Sequence, residues 1–307
     1  MKKVSIITVN FNQPTVTEEL LFSIEKTNNY TKIEIIVVDN ASKINPIPEW
    51  SLKYANIKFI RSEVNLGFAG GNNLGIKEAT GDYLFLVNND TEFTTGLIQK
   101  LVNVLDANNN AGMISPMIKY YSDKQLIQYA GYTAMSYYTG RNNCIGLRQK
   151  DEGQFNHITG PTAYCHGAAM MIRKEAVDKA GLMSENFFLY YEEVDWCEHI
   201  IRAGYEAWIC TDALIYHKES VSVGKKSRLK EYFMNRNRIL FIRRNASFFK
   251  MLIFYVYFLL LVVPRNLINY IKAKNYNFIP MLFKAVWWNL THSKNSNNLG
   301  YPINTIA

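Results

Sequence analysis

Short runs of aliphatic and β-branched residues recur through the first third of the chain, separated by amphipathic segments. The runs predict four strands of a buried, mostly parallel sheet, at residues 4–9, 33–38, 57–60 and 83–87. The segments between them predict three helices, at residues 18–26, 73–79 and 97–105. Strands that alternate with helices form right-handed βαβ units, so the sequence predicts an α/β fold with helices on both faces of the sheet.

The remainder of the chain is less regular. Residues 112–175 hold mixed short runs from which no order of elements can be predicted. Beyond them the pattern predicts helices at 175–180 and 194–203, the second ended by Gly204, and a strand at 207–210. After about residue 225 the pattern changes to basic, aromatic helix. We therefore expect an α/β domain at residues 1–224 and a helical region at 225–307.

Charge is distributed unevenly along the chain. The formal net charge is +8, yet 14 of the 34 basic residues lie after residue 220, where Glu231 is the sole acidic residue. Apolar residues make up 48% and charged residues 20%, which excludes a disordered chain. The four cysteines form no CxxC pair, so we expect reduced thiols in a cytosolic protein. The basic helical region needs an explanation separate from the α/β fold.

The helical region combines positive charge with an apolar segment. Nine basic residues lie between Lys225 and Lys250. Residues 251–263 then carry no charge, and Pro264 is expected to end this helix after roughly 20 Å, less than the roughly 30 Å of a bilayer core. With the tryptophan pair at 287–288, this pattern favours a helix lying in the cytoplasmic interface of an anionic membrane. The main alternative is packing against the α/β domain or a second subunit. No nucleic-acid-binding motif accompanies the basic residues, so we expect no nucleic-acid partner.

Polar residues follow the predicted strands at the edge where ligands of such sheets bind. Asp39 ends the second strand, and in a dinucleotide-binding fold an acidic residue there binds a ribose hydroxyl. However, the turn after the first strand, NFNQP at residues 10–14, has no glycines that would let a pyrophosphate approach the backbone. The dinucleotide fingerprint is therefore absent. Asp39 is either a ligand of another kind of nucleotide or a solvated turn residue.

Asp90 closes the tripeptide Asn88-Asn89-Asp90 at the end of the fourth strand. A carboxylate at this position can hold Mg²⁺ or Mn²⁺, which neutralises a diphosphate leaving group. His217 can add a nitrogen ligand, which suits Mn²⁺ better than Mg²⁺. The alternative is that Asp90 begins a turn while His217 lies on the surface.

Three carboxylates, Glu192, Glu193 and Asp195, lie within four positions, after an aromatic run at 187–191. Crowded carboxylates beside aromatic rings repel one another and lose hydration, so at least one is expected to have a raised pKa. A carboxylate with a raised pKa is a useful general base for an alcohol. The alternative is an inert cluster stabilised by the dipole at a helix N-terminus.

Taken together, these segments resemble family-2 inverting glycosyltransferases, most closely the rhamnosyltransferase-like branch. The resemblance covers about residues 3–220. It is carried by VSIITVNFN at 4–12, IVVDNAS at 36–42, NLGFAGGNN at 65–73, NND at 88–90, FLYYEEVDWC at 188–197 and RAGY at 202–205. It implies the GT-A fold, with a nucleotide-diphosphate sugar bound at the strand ends and Mg²⁺ or Mn²⁺ as cofactor.

The same resemblance implies a role for each candidate residue. Base and ribose would contact Thr8, Asn10 and Asp39, while the nucleotide and donor-sugar pocket would include Asn65, Asn72, Asn89 and Asp90. Asp90 and His217 would hold the metal, and Glu193 would deprotonate the acceptor hydroxyl for direct displacement at the anomeric carbon. Many relatives have two aspartates where this chain has Asn-Asn-Asp, and Asp is more usual than Glu at the base position. Glu192 and Asp195 therefore remain alternative bases.

The resemblance leads us to expect an enzyme that moves a sugar from dTDP-rhamnose or a UDP-sugar to a hydroxyl of a lipid-linked glycan acceptor, in cell-surface polysaccharide synthesis. We expect it on the cytoplasmic face of the cell membrane. A sugar-phosphate nucleotidyltransferase is an alternative, although such enzymes usually have a glycine-rich, basic loop after the first strand. A non-catalytic membrane adaptor with a transferase fold is a further alternative, against which the intact Asp90 and Glu193 argue.

Overall fold

The computed structural model describes residues 1–219 and 227–303 of the chain. Strands and helices alternate at the start: β1 (Val4–Asn10), α1 (Pro14–Thr27), β2 (Ile33–Asn40), α2 (Ile47–Lys53), β3 (Ile57–Ser62), α3 (Gly67–Glu78), β4 (Tyr83–Val87), β5 (Thr91–Phe93) and α4 (Leu97–Ala107). The central part adds β6 (Ala111–Tyr120), β7 (Ile127–Tyr129), β8 (Thr159–Thr162), β9 (Ala169–Arg173), α5 (Lys174–Ala180), α6 (Glu192–Arg202) and β10 (Glu206–His217). The predicted α/β fold is confirmed, with every predicted strand and helix of its first third present.

The ten strands of the described residues form one sheet, along which β3, β2, β1, β4, β9, β6, β10 and β5 are successive neighbours. β1 runs parallel to both β2 and β4, and β2 runs parallel to β3. β9 is antiparallel to β4 and β6, so the second half of the sheet is mixed. The carboxyl ends of β1, β2 and β4 therefore lie side by side at one edge, where polar residues follow each of them.

Two helices of the first third of the chain begin well before their predicted first residues. α1 begins at Pro14, because the fixed φ and missing N–H of proline suit the first turn of a helix. α3 begins at Gly67, six residues before the predicted start, and its glycines pack against β1. A Cβ atom added to Gly71 would lie 2.9 Å from a methyl of Val9, so this face of the helix has no room for a side chain. The glycine-rich segment, which lay before the predicted helix, is therefore its closely packed first part.

Strand β10 extends well beyond the predicted residues 207–210. It pairs in parallel with β6 and, at its end, in antiparallel with β5. In that second pairing His217 lies opposite Thr91. The long strand thus carries His217 to the edge of the sheet where Asp90 lies, a placement that the short predicted strand could not reveal.

Within residues 227–303 the C-terminal region forms four α-helices, α7 (Arg228–Asn245), α8 (Phe248–Tyr257), α9 (Val263–Lys272) and α10 (Ile279–Thr291). Apolar residues of these helices, including Leu240 and Leu282, belong to the same buried core as Ile7 and Leu86 of the sheet. The predicted boundary at 224/225 lies outside the described residues. The described part of this region therefore packs against the α/β domain, which was the alternative to a helix lying on a membrane.

The basic residues of α7 point largely into the protein, contrary to the prediction that this run faces a membrane. The Arg236 guanidinium is buried and lies 3.8 Å from the ring centre of Trp288. Arg244 forms an ion pair with Asp195. Arg243 donates hydrogen bonds to Asn289 of α10 and to the carbonyl of His292, which follows that helix. Lys225 and Lys226 lie outside the described residues.

The apolar segment does not end at Pro264 as predicted. α8 continues through a π-helical turn at Phe258–Val262 into α9, giving one helical stretch from Phe248 to Lys272. Pro264 lies at the start of α9, directly after the π-helical turn. The stretch of 25 residues is roughly 37 Å long. Among the described residues it is the one helix long and apolar enough to cross a membrane, by length and composition alone.

Candidate active site

A cavity of about 650 Å³ opens at the carboxyl ends of β1, β2 and β4. The residues just before α6 and the start of α7 form its other wall. Predicted site residues that line it are Asn65, Asn72, Asn89, Asp90, Glu193 and His217. The fold therefore brings together side chains from both ends of the predicted catalytic region. Thr8, Asn10, Asp39, Glu192 and Asp195 do not line this cavity.

Asp90 and His217 meet at the floor of the cavity. Their side chains are nearly buried, and His217 Nε2 lies 3.1 Å from Asp90 Oδ1. His217 Nδ1 lies 2.9 Å from the amide oxygen of Gln128, to which it can donate a hydrogen bond, and Nε2 is the ring nitrogen that faces Asp90. Asp90 Oδ1 accepts no hydrogen bond from any described residue. A carboxylate oxygen and an imidazole nitrogen thus converge on one point at the cavity floor.

This donor pair fits a divalent cation. Octahedral ligands at about 2.1 Å from a metal lie roughly 3 Å from each other, which is the separation found here. A carboxylate with an imidazole suits Mn²⁺. Across the described parts of the chain, no three His, Cys, Asp or Glu side chains come close enough to hold a metal by themselves. A metal at Asp90 and His217 would therefore take its remaining ligands from a bound substrate and water.

Asp39 is fully buried and already has partners. Its Oδ1 accepts a hydrogen bond from Asn10 Nδ2 at 2.8 Å, and its Oδ2 forms an ion pair with Arg61. Asn10 in turn accepts a hydrogen bond from Thr17, to which Asn89 donates at 3.0 Å. This chain of contacts links the polar ends of β1 and β2 to the segment after β4. The buried Thr8 hydroxyl has no hydrogen-bond partner among the described residues.

Asparagines shape the cavity wall between β2 and α3. Asn40 Nδ2 donates to Asn65 Oδ1 at 3.1 Å and to the Gly67 carbonyl at 3.0 Å. Gly67 has φ +70°, and a Cβ atom there would lie 2.2 Å from the Phe188 carbonyl oxygen. The Asn72 amide donates to the Phe68 carbonyl at 2.9 Å. Glycine at 67 is thus required both by its φ and by the close approach of the segment before α6.

The three clustered carboxylates lie in different surroundings. Asp195 is fully buried, accepts hydrogen bonds from Ser184 and Asn245, and pairs with Arg244. Glu192 is buried away from the cavity, where burial and the charge of Glu193 raise its pKa well above the usual value. Burial also raises the pKa of Glu193, whose Oε2 has no hydrogen-bond partner among the described residues. Glu193 is the one of the three that faces the cavity.

Glu193 also lines a second cavity, of about 610 Å³. Residues that border both cavities are Tyr190, Glu193, Ser227 and Lys230. A base at this junction can reach groups bound on either side. The position suits a residue that removes a proton from one substrate while a second substrate lies opposite.

The segment that carries Glu193 has a strained backbone. Phe188, Tyr190 and Tyr191 all have φ between +65° and +71°, a region that residues with a Cβ seldom adopt. Asn237 of α7 holds the segment, because its buried Nδ2 lies 2.8–2.9 Å from the carbonyl oxygens of residues 187, 189 and 190. Arg236 Nη1 donates to Asn237 Oδ1 at 2.7 Å and so orients the amide.

Replacing Asn237 with Ala is expected to lower the free energy of unfolding by about 2–3 kcal/mol, because three buried carbonyls lose their donor. The strained segment should then relax and move Glu193, which lowers kcat. Chemical denaturation and turnover measure the two effects. Asn269→Ala, at an exposed position of α9, is the matched control. Equal stability of the two variants would contradict the proposed role of Asn237.

Sequence reasoning missed the residues that support the predicted ones. Gln128 lies in the central part, for which no order of elements was predicted. Arg61 lies in β3, and nothing in the local sequence indicates its ion pair with Asp39. His166 also lines the cavity; burial and the neighbouring His217 lower its pKa to about 3, so it is neutral. Asn237 lies within the basic run that was taken for a membrane surface. Its position in an Arg-Asn-Arg tripeptide was the available signal.

Comparison with known proteins agrees with this geometry. A family model described as "Glycosyl transferase family 2" matches residues 5–181. The low-salt glycan biosynthesis hexosyltransferase Agl10 of Haloferax volcanii is 29% identical over 258 residues, which cover 80% of this chain and 76% of that protein. The N-acetylglucosaminyl-diphospho-decaprenol L-rhamnosyltransferase of Mycobacterium tuberculosis is 21% identical over 213 residues, 63% of this chain and 69% of the relative.

Solved structures share the fold. The structure of GalNAc-T7 with UDP, GalNAc and Mn²⁺ is similar with a TM-score of 0.61 at 15% identity. The similarity covers 79% of this chain and 48% of GalNAc-T7, so the chain spans about half the length of that protein. These findings confirm the GT-A fold and the rhamnosyltransferase-like resemblance.

Proposed function

Because the chain belongs to glycosyl transferase family 2, we propose that it transfers a sugar, with inversion, from a nucleotide-diphosphate donor to a hydroxyl of a lipid-linked glycan. The observation that carries this proposal is that Glu193 and the pair Asp90–His217 line the same cavity. An ionisable base and a cation site are the two requirements for displacing a diphosphate with an alcohol. We infer dTDP-rhamnose or a UDP-sugar as donor, supported by the relative named a rhamnosyltransferase and by the UDP in the GalNAc-T7 structure.

The donor diphosphate is proposed to bind beside Asp90 and His217. A Mg²⁺ or Mn²⁺ ion held there would neutralise the charge that develops on the leaving diphosphate. The Mn²⁺ in the GalNAc-T7 structure supports this use of a divalent ion. Asn65, Asn72 and Asn89 supply amide groups along the same wall for the nucleotide and donor sugar.

Recognition of base and ribose by Thr8, Asn10 and Asp39 stays a proposal that requires a local rearrangement, because all three are buried and do not line the cavity. Asp39 Oδ2 is occupied by Arg61, whose side chain is 28% exposed. A ribose hydroxyl would therefore replace Arg61 at Asp39, and Asn10 would keep its hydrogen bond to the other carboxylate oxygen. The partial exposure of Arg61 gives its side chain room to move.

Glu193 is proposed as the general base. Its carboxylate removes the proton of the acceptor hydroxyl as the oxygen attacks the anomeric carbon from the face opposite the diphosphate. One displacement without a covalent intermediate inverts the anomeric configuration. Glu192 and Asp195 are less suited, because neither lines a cavity and Asp195 is paired with Arg244.

Binding of a panel of nucleotide sugars, measured by thermal shift with and without Mn²⁺, tests the donor proposal. We expect a stabilisation that requires both the metal and one class of nucleotide sugar. NMR spectroscopy of the product should show the anomeric configuration opposite to that of the donor. Retention of configuration would exclude the proposed mechanism, and absence of nucleotide-sugar binding would exclude the function.

We further propose that the enzyme lies on the cytoplasmic face of the cell membrane. Between residues 248 and 261, eight large apolar side chains are exposed. Phe254, Phe258, Val262 and Tyr270 are buried along one side of the same helical stretch, so it is docked on the protein over most of its length. Docking of this kind favours a helix that lies in the interface over one that spans the bilayer. Lys250, Arg265 and Lys272 supply charge for anionic headgroups.

Flotation of the full chain with vesicles tests the membrane proposal. Vesicles of phosphatidylglycerol and phosphatidylcholine are expected to retain the protein, and pure phosphatidylcholine vesicles to retain less. Replacing Leu260 and Leu261 with Ser removes exposed apolar side chains and should release it. Asn269→Ser, at an exposed polar position of the same stretch, is the control. Equal retention of all three proteins would exclude the helix as the contact.

A further inference from the structure

The second cavity is rich in positive charge. Arg141, Lys230 and Arg238 line it, together with the carboxylates Glu193 and Glu231. Glu231 is engaged internally, since its Oε1 accepts hydrogen bonds from Asn235 and Tyr270. None of the three cations forms an ion pair with a carboxylate among residues 1–219 and 227–303. The cavity therefore offers unneutralised cations beside Glu193.

An unsatisfied donor adds a second, independent observation. Asn142 Nδ2 lines this cavity, is buried from solvent, and has no hydrogen-bond partner in the described part of the protein. Buried amide donors without partners are rare in folded proteins because they lose hydration without compensation. A ligand oxygen is the partner that would satisfy it.

The cavity adjoins the apolar helical stretch. The Arg238 guanidinium lies 5.5 Å from the ring centre of Phe258 and 5.9 Å from that of Tyr257. Arg238 donates to the Thr139 carbonyl, which holds it at this place. A Cβ atom on Gly140, another lining residue, would lie 3.1 Å from the Phe254 ring. Arg238 thus connects the cavity that Glu193 lines with the helical stretch whose outer face is exposed and apolar.

We propose that the second cavity is the acceptor site and that Arg141, Lys230 and Arg238 bind a phosphate group joining the acceptor sugar to an apolar carrier. This inference rests on the proposed function, because it assigns the acceptor of the same reaction. The phosphate would contact the cations and Asn142, the sugar hydroxyl would reach Glu193, and the carrier chain would follow the exposed face of the 248–272 stretch. Arginine and lysine in partly desolvated surroundings are the usual protein ligands of phosphate.

Titration of the full chain with geranyl diphosphate, in EDTA to disable the Asp90–His217 site, tests the proposal. Inorganic diphosphate and the neutral octyl glucoside are titrated in parallel. Geranyl diphosphate is expected to bind most tightly, and Arg141→Gln and Lys230→Gln each to weaken it roughly tenfold or more. Arg148→Gln, an exposed arginine outside both cavities, should bind like the unchanged protein.

Each other outcome counts against the inference. Unchanged affinity in both Arg141→Gln and Lys230→Gln would overturn the phosphate site. Equal affinity for inorganic and geranyl diphosphate would overturn the apolar carrier, and competition by octyl glucoside at equal concentration would overturn the need for phosphate. Metal-dependent nucleotide-sugar binding is measured on the same preparations. If it persists in Arg141→Gln while geranyl diphosphate fails to bind any form, the acceptor inference fails and the transferase proposal stands.

Discussion

Replacing Glu193 with Gln is expected to lower kcat by about 10²–10⁴-fold and to leave donor affinity nearly unchanged. Gln keeps the size and hydrogen-bonding reach of Glu but cannot accept the acceptor proton. The loss should be confined to kcat, because the base acts in the transition state and not on the bound donor. Steady-state kinetics and thermal shift with nucleotide sugar and Mn²⁺ measure the two quantities separately.

The neighbouring carboxylates are the controls for this variant. Glu192→Gln should act mildly, through the pKa of Glu193. Asp195→Asn should mainly lower stability, because it removes the charge that pairs with Arg244 at 3.1 Å. Full turnover of Glu193→Gln with an inactive, stably folded Asp195→Asn would move the base two residues along α6. The fold and the donor site would be unaffected by that result.

The raised pKa of Glu193 predicts the form of the pH profile. A base must be ionised, so kcat should fall as the pH falls through the pKa of Glu193, which burial places above the ordinary value of 4.5. This acid limb should disappear in Glu193→Gln. The sign for stability is opposite: a carboxylate with a raised folded-state pKa destabilises the fold once it ionises. Glu193→Gln should therefore be at least as stable as the unchanged protein at neutral pH, which separates lost chemistry from misfolding.

The sequence predicted the parallel half of the sheet well, because its buried strands are local runs with distinct ends. It predicted less where a position depends on distant contacts. The place of His217 depends on how far β10 continues and on its antiparallel pairing with β5, neither of which the short apolar run at 207–210 indicates. The helix at Gly67 was hidden because glycine has low helix propensity, while its benefit arises only in packing against β1.

In the C-terminal region, the environment of the charged residues also depends on distant contacts that the local sequence does not indicate. A run of arginines was read as a membrane-facing surface, since charge on a helix is usually solvated. Here the buried Arg236 packs on the ring of Trp288. Arg244 pairs with Asp195 of α6, which lies 49 residues earlier in the chain. Membership of the transferase family excludes the nucleotidyltransferase alternative, but it does not reveal that Asn237 of α7 holds the segment before Glu193. That contact could be found only from the folded chain.

Replacing Asp90 with Asn is expected to weaken metal-dependent nucleotide binding by at least roughly 100-fold, since loss of even an outer partner of a metal ligand costs 10–100-fold. The amide is a poorer ligand for a hard cation than the carboxylate, and His217 alone cannot hold the ion. Isothermal titration with nucleoside diphosphate, with and without Mn²⁺, measures the change. Glu92→Gln, at a carboxylate two residues away that pairs with Lys124 at the surface, is the matched control.

The stability of the metal-free Asp90→Asn protein distinguishes a lost ligand from a damaged fold. Without metal, the nearly buried Asp90 Oδ1 lies 3.1 Å from His217 Nε2 and accepts no hydrogen bond from the described residues, which is unfavourable for a carboxylate oxygen. An amide at this position can donate its N–H to the imidazole, so the variant should be as stable as the unchanged protein in EDTA, or more so. Mn²⁺ with nucleotide should then raise the melting temperature of the unchanged protein and of Glu92→Gln only. An undiminished Mn²⁺ effect in Asp90→Asn would exclude Asp90 as a metal ligand.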